Sequence, residues 1–163
     1  MFNRVDYWLY KPACIAIVLA LGVGLGLAGC AASPPQRFTL DDSHFTPCSS
    51  APHCVSSQAA PGSSHYVLPL VYHVSTAKAR QALLAVLARM DNAKIVSAKG
   101  RFIHATFTTT LGFVDDVTFL IQPAESVIDV KSSSRIGYYD FGMNRDRVAR
   151  IRRAFEPCVG GVI

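Results

Sequence analysis

Residues 113–136, FVDDVTFLIQPAESVIDVKSSSRI, predict a β-hairpin. Two strands, 113–122 and 126–136, flank the turn Pro123-Ala124-Glu125. The first strand has one apolar face, because residues of a single parity point to the same side of a strand. The apolar residues of that parity are Phe113, Val117, Phe119 and Ile121, and Asp115 has the same parity, so its side chain should point towards the apolar face. Strands joined by so short a connection pair antiparallel.

The other elements are predicted by working outward from this hairpin. A strand is predicted at 66–74, because it has an apolar residue at every second position. A helix with an apolar stripe is predicted at 76–90, and Ser75 is its N-cap. Short strands follow near 94–98 and 102–109, and a last helix begins near Asn144. The order β-α-β-β-β-β-α predicts an α+β fold. We expect a mainly antiparallel sheet of four or five strands with two helices packed on one face.

Length and composition limit the class of protein. The chain has 163 residues, of which 50% are apolar, and a formal net charge of +5. This length allows one domain and a leader and excludes a large multidomain enzyme, and the composition excludes wholesale disorder. We divide the chain into a leader at 1–29, a Ser- and Pro-rich tether at 30–64 and a single domain at 65–163.

The leader resembles the signal peptide of a bacterial lipoprotein. Basic residues precede an uncharged apolar run at 13–28, which ends in Leu27-Ala28-Gly29-Cys30. As a helix this run spans roughly 24 Å, less than the ~30 Å hydrocarbon core of a bilayer. The resemblance implies cleavage before Cys30 and attachment of lipid to its thiol, and an uncleaved anchor is the alternative. Ala31 resembles an outer-membrane sorting signal, so we expect a lipid-anchored protein of the bacterial envelope, in the outer membrane and facing the periplasm.

The tether contains a cysteine pair. In an exported chain, Cys48 and Cys54 predict a disulfide. The alternative is a metal site, whose candidate ligands are Cys48, Cys54, His53 and either His44 or His65. The spacing lacks a paired CxxC framework, so we predict no metal and no cofactor.

A polar cluster is expected where the hairpin meets the loop that follows it. Folding the hairpin about residue 124 or 125 places Asp115 and Asp116 opposite residues 132–135. The candidate binding cluster consists of Asp115, Asp116, Arg135, Tyr138, Asp140, Asn144 and Arg145. Such a cluster can bind a small polar or anionic ligand. The simpler interpretation is a structural ion pair of Arg135 with one of the two neighbouring aspartates.

The last helix carries five arginines, Arg145, Arg147, Arg150, Arg152 and Arg153. The simplest interpretation is a solvated helix face, and contact with anionic lipid headgroups is the alternative. Nucleic acid is a poor partner for an exported chain, and we predict none.

Three segments resemble the bacterial "domain of unknown function 1499" family. They are Cys48 with Pro52-His53-Cys54-Val55-Ser56-Ser57, then Gly112-Phe113-Val114-Asp115-Asp116, then 132–135 with Gly137-Tyr138, Asp140, Gly142, Asn144 and Arg145. The sequence departs from the family pattern at His53, where Asn is usual, at Lys131, where Arg is usual, and at Tyr139, where a small residue is usual. The resemblance extends over 48–155. It implies no established activity, ligand or cofactor.

These observations predict an envelope lipoprotein whose domain binds a small ligand, a lipid or a protein partner without catalysis. A purely structural envelope component is one alternative. A small hydrolase or isomerase that uses Asp115, Asp116 or Asp140 as acid or base is another, and it predicts a concave pocket there with a carboxyl pKa raised by burial. No nucleophile motif accompanies the cluster, so no catalytic residue is assigned. Cys158 has no predicted role.

Overall fold

The computed structural model describes residues 44–160. The predicted leader and the lipidation site at Cys30 lie outside the described residues. The elements are β1 (Cys54–Ser56), β2 (Leu70–Val71), α1 (Thr76–Ala88), β3 (Ala93–Lys99), β4 (Phe102–Thr108), β5 (Val114–Gln122), β6 (Val127–Ser134) and α2 (Met143–Phe155), followed by a 3₁₀ turn at Glu156–Cys158. Neither α1 nor α2 is long and apolar enough to span a bilayer, and the described residues contain no other candidate.

The strands form a six-stranded antiparallel sheet in the order β1-β6-β5-β4-β3, and β2 also pairs with β6. The predicted hairpin is the β5–β6 pair. Asp115 lies opposite Ser134 and Gln122 opposite Val127, so the chain folds about the predicted point. The α+β prediction is confirmed, with one strand more than the upper number expected.

The extra strand, β1, lies within the Ser- and Pro-rich segment that composition assigns to the tether. Its partner is the second half of β6, where Val55 lies opposite Ser132. The strand is short, but all three of its residues are buried. Residues 54–56 are therefore part of the sheet.

The prediction of one continuous strand over 66–74 is wrong in extent. Only Leu70–Val71 is a strand. Pro69 has no backbone N–H to donate to a sheet, which limits pairing on its N-terminal side. The side chain of Leu68, assigned to the apolar face by parity, is 61% exposed, whereas Leu70 and Tyr72 are buried as predicted.

Both helices pack on one face of the sheet through the faces predicted from their periodicity. In α1, the side-chain oxygen of Ser75 accepts a hydrogen bond from the backbone of Lys78, which begins the helix as predicted. The buried apolar residues of the two helices are Ala79, Leu83, Val86, Leu87, Val148, Ile151 and Phe155. The described residues belong to one compact unit, and its core runs from Val55 to Val159. This part of the chain therefore carries the core that it needs to fold without the leader.

Candidate functional site

The sheet divides the predicted polar cluster between its two faces. Asp115 and Asp116 are neighbours in β5, and successive side chains of a strand point to opposite sides. Asp115 contacts α2, whereas Asp116 contacts β4 and the loop after β6 on the other side. The prediction of a single patch containing both carboxylates is therefore wrong, because the strand's own alternation separates them.

On the helix side, Asp115 pairs with a buried arginine. Arg147 is only 2% exposed, and its Nη2 donates to Asp115 Oδ2. Its Nη1 donates to Ser132 Oγ over 2.9 Å and to Asn144 Oδ1 over 2.5 Å. The guanidinium also lies over the ring of Phe107, 5.1 Å from its centroid. The charge of Asp115 is thus balanced inside the domain.

Arg147 was assigned to a solvated helix face, and that assignment is wrong. Two further arginines of α2 also donate to the protein. Arg145 donates to the carbonyls of Tyr66 and Ser64 over 2.8 and 2.6 Å, and Arg152 donates to that of Leu68. These contacts hold the segment before β2 against α2. Arg150 and Arg153 are exposed.

Asp140 and Asn144 organise the start of α2. Asp140 Oδ1 accepts from the backbone N–H of Gly142, and Oδ2 accepts from that of Asn144, both over 2.9 Å. The Asn144 amide donates to Asp140, to Ser134 Oγ and to the carbonyl of His53. Burial acts to raise the pKa of Asp140, but these backbone hydrogen bonds outweigh it and lower the pKa. The two residues fix the helix to the end of β6 and to the turn before β1.

On the other face, Asp116 accepts two hydrogen bonds from Arg135. The Nε and Nη2 donors lie 2.7 and 2.9 Å from its oxygens, and His104 Nε2 lies 2.8 Å from Oδ1. Burial acts to raise the pKa of Asp116, but Arg135 and His104 outweigh it and lower the pKa. The predicted ion pair with Arg135 is present and involves Asp116.

The catalytic alternative required a carboxyl pKa raised by burial. The pKa values of Asp116 and Asp140 both lie below the ordinary carboxyl value of 3.8. A carboxyl group of this kind is ionised at neutral pH and has no proton to donate as a general acid. Neither residue has the raised carboxyl pKa that this alternative requires.

The cysteine pair forms the predicted disulfide. Cys48 and Cys54 are joined with a Cα–Cα distance of 5.7 Å. The bond consumes the two thiolates that the alternative metal site needed. Within residues 44–160, no group of three His, Cys, Asp or Glu side chains is arranged to hold a metal ion.

The structure adds a feature that the sequence did not predict, an apolar groove at the end of the sheet. It lies between residues 109–113 and 134–143 and has a volume of about 410 Å³. Its polar lining residues are Thr109, Thr110, Asp115, Ser134 and Asp140. Six of the ten large apolar side chains that are exposed in the described residues line it, namely Leu111, Phe113, Ile136, Tyr139, Phe141 and Met143. Tyr138 lies in the same loop and is exposed.

The backbone of the groove is held in an unfavourable conformation at Phe141. Its φ is 55°, in the left-handed region that bulky residues rarely adopt. The ring of Phe141 is 83% exposed and meets Tyr139 edge to face, with centroids 5.0 Å apart. Such strain costs of order 1–3 kcal/mol and is concentrated at binding and active sites.

Residues 44–155 match the family described as "Protein of unknown function (DUF1499)". No curated protein and no solved structure shows significant similarity to the chain. The matched range contains the disulfide, the Asp140 cap, both ion pairs and the residues that line the apolar groove. Since it covers more than half of the sequence, the chain belongs to the DUF1499 family.

Proposed function

We propose that this protein is a membrane-anchored lipoprotein of the bacterial envelope, attached through lipid on Cys30. The leader sequence supports this proposal, and the disulfide is consistent with an exported domain. The expected location is the outer membrane, facing the periplasm. We propose that the domain binds a small ligand in the apolar groove and does not catalyse a reaction.

The observation that carries the binding proposal is the concentration of exposed apolar side chains around one concave site. Folded domains rarely leave such residues together in water unless the surface binds something. The volume of about 410 Å³ is in the range of small-molecule sites. The ligand is therefore a molecule with an apolar body, and the predicted polar or anionic group forms one end of it.

Native and denaturing mass spectra test the binding proposal. The chain from residue 30, with Cys30→Ser, is exported to the periplasm and purified without detergent. We expect a non-covalent adduct that is lost on denaturation and absent from Leu111→Ser. The matched control is Leu68→Ser, which removes an equally large exposed side chain outside the groove. A bare wild-type chain would favour a purely structural envelope component, whereas an adduct that both variants retain would place the ligand outside the apolar groove.

The anchor has its own test. The intact mass of the full-length gene product, extracted from envelopes, is compared between wild type and Cys30→Ser. We expect the wild-type chain to have lost residues 1–29 and gained the mass of a diacylglycerol thioether, and the variant to show neither change. A wild-type chain that keeps its leader and carries no lipid would establish the uncleaved anchor instead.

A further inference from the structure

We infer that the ligand is an anionic amphiphile, with its chain in the apolar groove and its charged group in an adjoining basic groove. This inference rests on the proposed binding function and specifies its chemistry. The basic groove is a second depression of about 610 Å³, at the junction of the C-terminus of α1, the end of β4 and the helix α2. Thr109, Thr110 and Met143 line both grooves, so the two are contiguous.

Cationic groups dominate the basic groove. Arg89, Arg147 and Arg150 line it, and Asp91 is the only acidic residue among its lining residues. Within residues 44–160, the side chains of Arg89 and Arg150 have no hydrogen-bond or ion-pair partner. An arginine fork donates two parallel hydrogen bonds to a carboxylate or phosphate, which gives this groove a preference for such groups.

A buried donor at the same place has no acceptor. Arg147 is nearly inaccessible and its other nitrogens are bound to Asp115, Ser132 and Asn144, but its Nε is buried without a partner among the described residues. Buried donors are almost always satisfied. An anion in the basic groove adds a negative charge next to this guanidinium.

The charges also orient the ligand. Asp140 lines the apolar groove, and its carboxylate repels an anion from that site, whereas the charge of Asp115 there is balanced by Arg147. The charged end is therefore favoured in the basic groove, where the net charge of the lining side chains is positive. The chain then lies among the side chains of Leu111, Ile136 and Phe141, where each buried methylene strengthens binding about fourfold.

Calorimetry with four probes tests the inference, on the exported chain from residue 30 with Cys30→Ser. The probes are decyl phosphate, octyl phosphate, decanol and inorganic phosphate, with each amphiphile below its aggregation concentration. We expect one decyl phosphate per chain and at least about tenfold weaker binding of decanol and of octyl phosphate. Inorganic phosphate alone is expected to bind more weakly still, because it fills only the basic groove.

Variants assign each end of the probe. Arg89→Ala with Arg150→Ala should weaken decyl phosphate about 30-fold and leave decanol unchanged. Leu111→Ser should weaken both probes. The matched controls are Arg153→Ala, an exposed arginine of α2 that lines neither groove, and Leu68→Ser. All five substituted positions are solvent-exposed, and thermal unfolding verifies that each variant is folded.

The outcomes separate this inference from the proposed function. If decanol and decyl phosphate bind equally, and Arg89→Ala with Arg150→Ala weakens neither, the groove binds apolar molecules and the anionic assignment is wrong. If inorganic phosphate binds as tightly as decyl phosphate, the protein has an anion site but no site for the alkyl chain, and the inference of an amphiphilic ligand is wrong. If no probe binds, but anionic vesicles capture the chain through the same residues, the surface contacts membranes and holds no single molecule. If nothing binds, both the inference and the proposed groove fail.

Discussion

Two neighbouring aspartates of β5 have different partners because a strand directs them to opposite sides. Asp115 is bound by a buried arginine of α2, and Asp116 by Arg135 and His104. The parity of the strand predicted that Asp115 lies on the apolar side, and the hairpin register predicted which residues oppose both. The partners were harder to predict. His104 and Arg147 lie 12 and 32 positions away in sequence, and only the assembled sheet and helix bring them close.

Asp116 is expected to make folding stability depend on pH. Its pKa in the folded protein lies below the ordinary value of 3.8, so its pairs stabilise the fold above that pH. As the pH falls below about 3.8, the unfolded chain begins to bind a proton at Asp116. The contribution decreases from there and is lost once the pH is below the lowered pKa of the folded protein. We expect Asp116→Asn to reduce the free energy of unfolding by about 2 kcal/mol at pH 7, and by much less at pH 3.

Urea unfolding at the two pH values measures this difference. Glu125→Gln, in the exposed turn of the hairpin, is the control for the loss of one carboxylate. A deficit of Asp116→Asn that is the same at pH 3 as at pH 7 would contradict the lowered pKa.

Arg147 and Asp115 are expected to be strongly coupled. Arg147→Met leaves an unpaired carboxylate inside the domain, and we expect it to lower the free energy of unfolding by about 3–5 kcal/mol. Asp115→Asn in the same chain removes that charge, so the double variant should be more stable than Arg147→Met alone. A double-mutant cycle by urea unfolding measures the coupling energy. Additive effects would show that the buried pair contributes no net interaction.

At the level of elements, periodicity predicted most of the fold and failed where strands are very short. The apolar stripes of the two helices and the alternation in β5 correspond to the buried faces. By contrast, β1 has only three residues inside a Ser- and Pro-rich segment, and it becomes a strand because β6 offers an unpaired edge. The spacing of polar residues in α2 also indicates its buried face. Asn144 and Arg147 are three residues apart, and Ile151 follows Arg147 by four residues, so all three lie on the same, buried side of the helix.

The start of α2 depends on Asp140. Its carboxylate accepts hydrogen bonds from the backbone N–H of Gly142, which is the N-cap residue, and from that of Asn144 in the first turn. We expect Asp140→Ala to lower the free energy of unfolding by about 1–2 kcal/mol, because these donors lose their acceptor. Asp140→Asn retains an acceptor oxygen and should recover part of the loss.

Hydrogen exchange locates the effect of Asp140→Ala. Faster exchange is expected at the first turn of α2, with little change in α1. If Asp140→Ala has wild-type stability and exchange, the carboxylate has a role other than capping, and ligand contact in the apolar groove becomes its best explanation.

For the described part of the molecule, residues 44–64 are a structural part of the domain. It supplies β1 and the disulfide, and the carbonyl of His53 accepts from Asn144. Arg145 extends from α2 to the same segment through the carbonyl of Ser64. Composition alone assigned these residues to a tether, because Ser and Pro are common in linkers and because each contact joins residues far apart in sequence.

Two truncations test this boundary. A chain of residues 44–163 should unfold cooperatively, whereas a chain of 65–163 should be less stable by at least about 4 kcal/mol, which is most of the stability of a marginal domain. The loss has three physical sources: the buried side chain of Val55, the disulfide worth about 2 kcal/mol, and the bare edge left on β6. Circular dichroism during urea unfolding measures both chains. Equal midpoints would mean that the sheet needs neither β1 nor the disulfide, and that the segment is a tether after all.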